Sequence, residues 1–387
     1  MNPTKLVAEH EQYRRRRLNL VASENILSPA ARRALASDLA GRYAFRPEFY
    51  GGTKYARKLW DAAEQLGREV FNAEFCSVAP LSGHVALMTA LYSTVSKGQK
   101  IAVIASEHGG YPGLDQDKIP EIFSLQTVQL PFNSSEQQLE LWGCLDVIRG
   151  EKPSVVILGA SLILFPQPVR EIAEEVHSYG GAVIFDGSHV LGLIAGHTFP
   201  NPLNEGADIL LGSTHKSFPG PQGGIILTNN RELASRIESN TLHKFVDNIH
   251  LNRVAALAVA LEEMRRYGSK YAPRIVENAK TLAAELDKAG INVFKGSRGY
   301  TETHQVYIPK NPDEGVWFRD RLEEAGIVVD MAVRLGTNEV ARLGMGAREM
   351  REVAALIKLA LDGHAGQARR GVARLLRRFK KIRYALQ

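Results

Sequence analysis

The sequence predicts an α/β protein: a mostly parallel sheet flanked by helices, followed by a small C-terminal α+β domain. Three observations carry this. Between residues 75 and 230 short apolar runs alternate with longer amphipathic ones, polar residues gather where the apolar runs end, and beyond residue 290 the order becomes strand, strand, helix, strand, helix. The chain has 387 residues, 44% of them hydrophobic, enough for a large core divided between two domains. The expected layout is an N-terminal arm over 1–30, a large domain over 31–270 and a small domain over 271–387.

Taken in order, the opening MNPTKLVAEHEQYRRRR holds acidic residues and no apolar core, so it does not read as a secretory signal. The longest stretch without a formal charge, 76–96, has the length of a membrane span. It carries Pro80, Ser82, Gly83, His84 and Thr89, too polar for hydrocarbon, and reads as a buried loop and a helix over 85–92. Strands are expected at 101–105, 124–129, 155–159, 182–185, 209–212 and 224–227, with helices at 136–148 and 169–179 between them. A long helix runs from 251 past Pro273 to 289. Strands at 291–294, 305–308 and 328–331 and helices at 315–325 and 348–361 make up the small domain.

The two cysteines, Cys76 and Cys144, give no disulfide framework and no metal cluster, so a cytoplasmic protein without a metal is expected. The net charge of +6 concentrates in the tail ARRGVARLLRRFKKIRYALQ. There Val372, Leu375, Leu376, Phe379 and Ile382 fall at helical spacing, which makes the basic residues the solvated face of a docked helix. Aromatic interleaving and a nucleic-acid module are absent, so neither nucleic acid nor membrane is expected as a partner.

Chemistry collects at the strand ends, where open α/β sheets bind their ligands: Ser161, Asp186, His189, His215 and Lys216. Lys216 lies in GSTHKSFPGPQGG, an amine in a rigid non-helical loop, which suits Schiff-base chemistry because partial burial lowers its pKa. Asp186 ends the apolar run of AVIFDGSH, and a buried carboxylate there needs a cationic partner. A protonated pyridine nitrogen is such a partner, and Asp with an imine-forming Lys is how proteins use pyridoxal phosphate as an electron sink. Ser82, Gly83 and His84 lead into a helix whose free N–H groups can hold a phosphate.

With these residues in place, the sequence resembles the serine hydroxymethyltransferase group of fold-type I pyridoxal-phosphate enzymes along most of its length. LVASENILSP resembles that family's LIASEN, YGGTKY its YYGG, LSGHVA its phosphate loop and EHGGY its HGGH. FDGSHVLGLIAG, STHKSFPGPQGG and VRLGT match its aspartate, lysine and arginine motifs. The resemblance implies that the large domain binds pyridoxal 5'-phosphate, with Lys216 as the internal aldimine, Asp186 at the pyridine nitrogen and His189 near the ring. Tyr111 stands where the family has a ring-stacking histidine. Ser82, Gly83, His84, Ser213 and His215 belong to the cofactor site, and Ser161 bonds the ring oxygen. Arg334 with Ser23 takes the substrate carboxylate. Tyr43 and Tyr50 complete the pocket, Tyr50 from the neighbouring subunit of a homodimer. His189, His215 or Glu24 supplies the base. Ser23 has another reading as a helix cap, Glu24 as a surface carboxylate, His189 as a structural histidine, Tyr43 and Tyr50 as core residues and Arg334 as a structural ion pair.

The departures lie on the folate side. The family's YAEGYPGxRYYGG becomes YAFRPEFYGG, with Phe45 in place of a proton-handling glutamate and Glu48 nearby. The loop before Arg334 is short, LHKFVDNIHLN replaces a glycine-rich segment, and Gln222 replaces an arginine. These changes imply tetrahydrofolate-independent aldol-type cleavage or transfer on β-hydroxy-α-amino acids through a glycine quinonoid, with an aldehyde co-substrate, as in threonine aldolase and transaldolase relatives of specialised biosynthesis. A serine or α-methylserine hydroxymethyltransferase using tetrahydrofolate, an aminotransferase or decarboxylase, and a degenerate relative that only binds partners stay open as alternatives.

Overall fold

A computed structural model of the chain describes residues 2–386. Its large unit, residues 25–273 with 384–386, is built on a seven-stranded sheet. In chain order the strands are β1 (Phe75–Ser77), β2 (Lys100–Val103), β3 (Gln126–Gln129), β4 (Val155–Leu158), β5 (Ala182–Asp186), β6 (Ile209–Ser213) and β7 (Gly224–Thr228). The spatial order is β1-β7-β6-β5-β4-β2-β3, and only β7 runs antiparallel to its neighbours. Every residue of β4, β6 and β7 is buried, which explains why these strands read as continuous apolar runs and not as alternating ones. Burying each such Val, Leu or Ile side chain contributes about 1.5–3 kcal/mol.

Helices cover the sheet. The amphipathic helix Lys54–Phe71 buries Ala56, Trp60, Ala63, Gly67 and Val70 at spacings of four and three, and ends on Asn72 in the left-handed region. The helix Gly83–Thr94 starts two residues before its expected position because Ser82 caps it, accepting the Val85 N–H at 3.1 Å.

The second unit comprises residues 2–24 and 274–383. The arm therefore does not stand alone: Leu18–Asn19 pairs in parallel with Ile327–Val328, and Leu18 and Leu20 enter a core with Phe318, Leu322 and Val353. The division falls after 24 and after 273, not at 30 and 270. One helix, Leu251–Lys288, runs through Pro273 as expected.

Several elements differ from expectation. The segment 291–294 is irregular: Phe294 N–H donates to Tyr307 O (2.9 Å), while Ile291 and Val293 N–H turn back to Leu286 O (3.0 Å) and Ile291 O (2.8 Å). The run 136–148 opens as Gln138–Leu139, hairpin-paired with Phe132–Asn133, before the helix Leu141–Glu151. Pairing near 328 is limited to Ile327–Val328, and the segment beyond it is irregular up to Arg334. The basic helix spans Ala365–Arg378, so Val372 and Leu375 are buried on it while Ile382 lies beyond its end. Ser28 caps the helix Pro29–Leu35, so the alternative reading of Ser23 as a cap does not hold. Among the described residues no helix is long and apolar enough to cross a membrane.

Candidate active site

The carboxyl ends of the parallel strands converge on one cavity, lined by Ser82, Gly83, His84, Tyr111, Ser161, Asp186, His189, Ser213, His215 and Lys216 together with Gly159 and Ser188. Close backbone approaches set its shape. Gly159, just past β4, has φ +89°, and a Cβ there would lie 2.1 Å from the carbonyl oxygen of Asp186. Asp186 ends β5 and accepts the Ser188 N–H at Oδ1 (2.9 Å). Ser188 Oγ accepts the Ser213 N–H (2.9 Å) and donates to Ser213 Oγ (3.2 Å), which ties the ends of β5 and β6 together. Against that junction sits Gly83, where a Cβ would fall 2.2 Å from Ser213 Oγ. The N–H groups of Gly83 and His84, first in their helix, have no intrahelical acceptor, and the Ser213 hydroxyl lies against Gly83.

Lys216 follows β6 in a loop closed by Thr214, whose N–H donates to Gly223 O (3.0 Å) and whose hydroxyl donates to Pro221 O (2.6 Å). Beside it, burial and then the Lys216 charge lower the pKa of His215 to about 4, so its imidazole is neutral at neutral pH. His215 Nδ1 is buried without a hydrogen-bond partner among the described residues. Tyr111 OH lies 2.9 Å from His84 Nδ1, and burial with the Asp186 carboxylate raises its pKa. His189 is buried and Ser161 half-buried. A second cavity, between Trp60, Cys76 and Thr228, lacks this convergence: its carboxylate Glu64 is bound by Arg46 (2.7 Å) and by Trp60 Nε1 (2.8 Å).

The remaining predicted residues are placed elsewhere. Tyr43 and Tyr50 are exposed, packed on each other with ring centroids 5.5 Å apart and outside the cavity, so neither is a core residue. In the second unit Arg334 begins the strand Arg334–Gly336 and binds Asp330 (3.1 Å). Val21 bridges Leu335, and Gly336 lies against Ala22, so Ser23 and Arg334 sit on adjoining segments. Glu24 accepts from Arg14 (2.5 Å) and Asn19 (3.0 Å). Gly159 and Ser188 line the cavity without having been singled out in the sequence, and Asn25, which binds the Lys216 carbonyl (2.8 Å), lies behind it. A glycine directly after an apolar strand was the available signal for the first, and membership of the FDGSH and ASEN motifs for the other two.

The serine hydroxymethyltransferase family model matches residues 3–315. The chain belongs to the serine hydroxymethyltransferase family. Similar relatives include serine hydroxymethyltransferases of Methanopyrus kandleri, 39% identical over 98% of this chain and 93% of that protein, and of Archaeoglobus fulgidus, 38% identical over 100% and 93%. Among solved structures, the L-threonine transaldolase of Pseudomonas fluorescens in its internal aldimine state superposes with a TM-score of 0.92, 26% identity, and coverage of 99% of this chain and 92% of that one. The fold is that of fold-type I enzymes, and the protein is a transferase that depends on pyridoxal phosphate. Its residues fit that group: an amine and a carboxylate at adjacent strand ends, a glycine-tight helix start able to take a phosphate, and an orphaned buried imidazole nitrogen on a residue lining the same cavity.

Proposed function

We propose that this family member makes and breaks the Cα–Cβ bond of β-hydroxy-α-amino acids without tetrahydrofolate, passing the amino-acid fragment to an aldehyde in the manner of threonine aldolases and transaldolases. The observation that carries this is the segment around Phe45. Where the family has a glutamate, the Phe45 ring stacks on His243, 5.8 Å between centroids and 5° from parallel. The nearest carboxylate in that segment, Glu48, is engaged by Arg57 (2.7 Å) and Thr53 (2.8 Å). A phenyl ring moves no proton, and a pterin site without matched polar partners leaves buried groups unpaired. The likeness to a threonine transaldolase supports the same reading.

Pyridoxal phosphate, when bound, supplies the electron sink for a carbanion at the amino acid's α-carbon. The protein's residues do the rest. The Gly83 and His84 N–H groups and the Ser213 hydroxyl would hold the phosphate, Asp186 would pair with the pyridine nitrogen, and Ser161 would donate to the ring oxygen. Tyr111 and His189, which line the cavity, would flank the ring. Arg334, with Ser23, holds the substrate carboxylate through its guanidinium fork. The neutral His215 accepts the β-hydroxyl hydrogen at Nδ1, and Glu24 is the alternative acceptor. The exposed aromatics Tyr43, Phe49, Tyr50 and Tyr55 form the face of a homodimer, with Tyr50 completing the partner's pocket.

The higher identity to serine hydroxymethyltransferases favours a second reading, folate-dependent serine turnover. Steady-state turnover of serine and threonine with and without tetrahydrofolate, and with an added aldehyde, separates the two. Aldehyde should accelerate exchange from threonine, and folate should change nothing. Serine turnover that requires tetrahydrofolate and disappears in Glu48→Gln would restore the hydroxymethyltransferase.

A further inference from the structure

The loop that carries Lys216 is held on most sides by its own neighbours. Thr214 closes it across to Pro221 and Gly223, and Ser217 is held by the helix Leu191–Ala195, where the Gly192 N–H donates to Ser217 Oγ (3.0 Å). Gly192 packs so closely that a Cβ on it would lie 2.3 Å from Ser217 O. The carbonyl of Lys216 itself is bound by a residue 191 positions away. Asn25 Nδ2 donates to Lys216 O at 2.8 Å, passes within 3.4 Å of Ser217 O, and donates to Tyr271 OH at 3.0 Å. Asn25 Oδ1 accepts the Ile26 N–H at 2.9 Å. That last bond fixes which end of the amide faces the lysine, since a carbonyl needs the NH2 end. Both Nδ2 hydrogens are used. Tyr271 is fully buried in the long helix and is covered by the Tyr384 ring, 5.4 Å between centroids, so the far anchor is rigid.

We infer that Asn25 is a positioning residue for Lys216: by holding the lysine's carbonyl it fixes the peptide plane after Lys216, and with it the direction in which the side chain leaves the loop. Nζ must meet a carbon atom with the right approach angle, and a side chain as long as lysine amplifies any rotation at its own backbone. Asn25 touches neither cofactor nor substrate in this role. The inference rests on the cofactor assignment and is independent of whether folate is used.

The test compares Asn25→Ala and Asn25→Asp with the parent protein. Asn25→Asp keeps the shape and the acceptor for Ile26 N–H but turns an oxygen toward Lys216 O. Cofactor-free protein is mixed with pyridoxal phosphate, and the absorbance of the lysine-linked form is followed as Nζ condenses with the aldehyde and water leaves. Affinity for pyridoxine phosphate, which has the same ring and phosphate but no aldehyde, is measured alongside. Both variants should link roughly 10- to 100-fold more slowly and lose kcat to a similar extent, the scale of a misplaced reacting group. Pyridoxine phosphate affinity and the amino acid KM should change less than about twofold. An Asn25→Asp protein that links at the parent rate overturns the inference, and so does a parallel loss of linking and of pyridoxine phosphate binding, which would mean that Asn25 only maintains the pocket. If neither variant folds, Tyr271→Phe carries the test: slower linking with unchanged pyridoxine phosphate binding supports the role, and unchanged linking removes it.

Discussion

At the residue scale, His215 shows how the site sets its protonation states. Its ordinary pKa of 6.5 falls to about 4, chiefly because burial penalises the charged ring and further because Lys216 repels it. The linkage has a definite sign. Between about pH 4 and 6.5 the unfolded chain binds more protons than the folded one, so the cofactor-free protein should lose stability as pH falls through that window. His215→Gln should flatten this part of the slope while leaving stability at pH 7.5 nearly unchanged. Urea midpoints at pH 7.5 and 4.5 for both proteins decide it, and equal slopes would exclude His215 as the source. This environment was not legible in the sequence. A histidine beside a lysine is visible there, but burial comes from β6 and the loops around it, which only the fold assembles.

At the scale of elements, the central strands were readable because burial on both faces leaves continuous apolar runs, and the long helix because its pattern persists through Pro273. What escaped was short: the three-residue β1, the two-residue pairings of the second unit, and the hairpin at 132–139. Each depends on partners distant in sequence or on one turn, and so leaves little periodicity to read. The junction of the helix Gly83–Thr94 with β6 belongs to this scale as well. A methyl at Gly83 would fall 2.2 Å from Ser213 Oγ and 3.0 Å from Ser213 N, so Gly83→Ala must push the helix start away from the strand. It should cost roughly 1–3 kcal/mol of stability as overpacking and weaken cofactor retention. Gly150→Ala, with nothing within 4 Å inside the helix Leu141–Glu151, is the control and should stabilise by about 0.5–1 kcal/mol. Melting curves and cofactor titration of the two read this out, and a Gly83→Ala protein that keeps both values shows the junction to be pliable.

At the scale of the whole molecule, the motifs named the family correctly but said little about how the chain is divided. ASEN illustrates this: Ser23 and Glu24 group with residues 274–383, whereas Asn25 groups with the sheet. A four-letter signature carries no mark of such a split. The one antiparallel strand of the large unit, next to the edge strand β1, has a further consequence, which concerns the order of events in folding. β6 and β7 pair directly, Ser213 opposite Gly224, and the segment 214–223 between them is the loop of Lys216. The parallel neighbours, in contrast, each require a crossover before they can meet, and β1 must reach β7 across most of the unit. Closing a short hairpin costs little chain entropy, whereas crossovers raise contact order and slow pairing. The lysine's loop should therefore form among the earliest parts of the sheet. In pulse-labelled hydrogen exchange during refolding, amides of 209–213 and 224–228 should gain protection before those of 75–77. The reverse order would mean that the Lys216 loop is placed only after the rest of the sheet has closed around it.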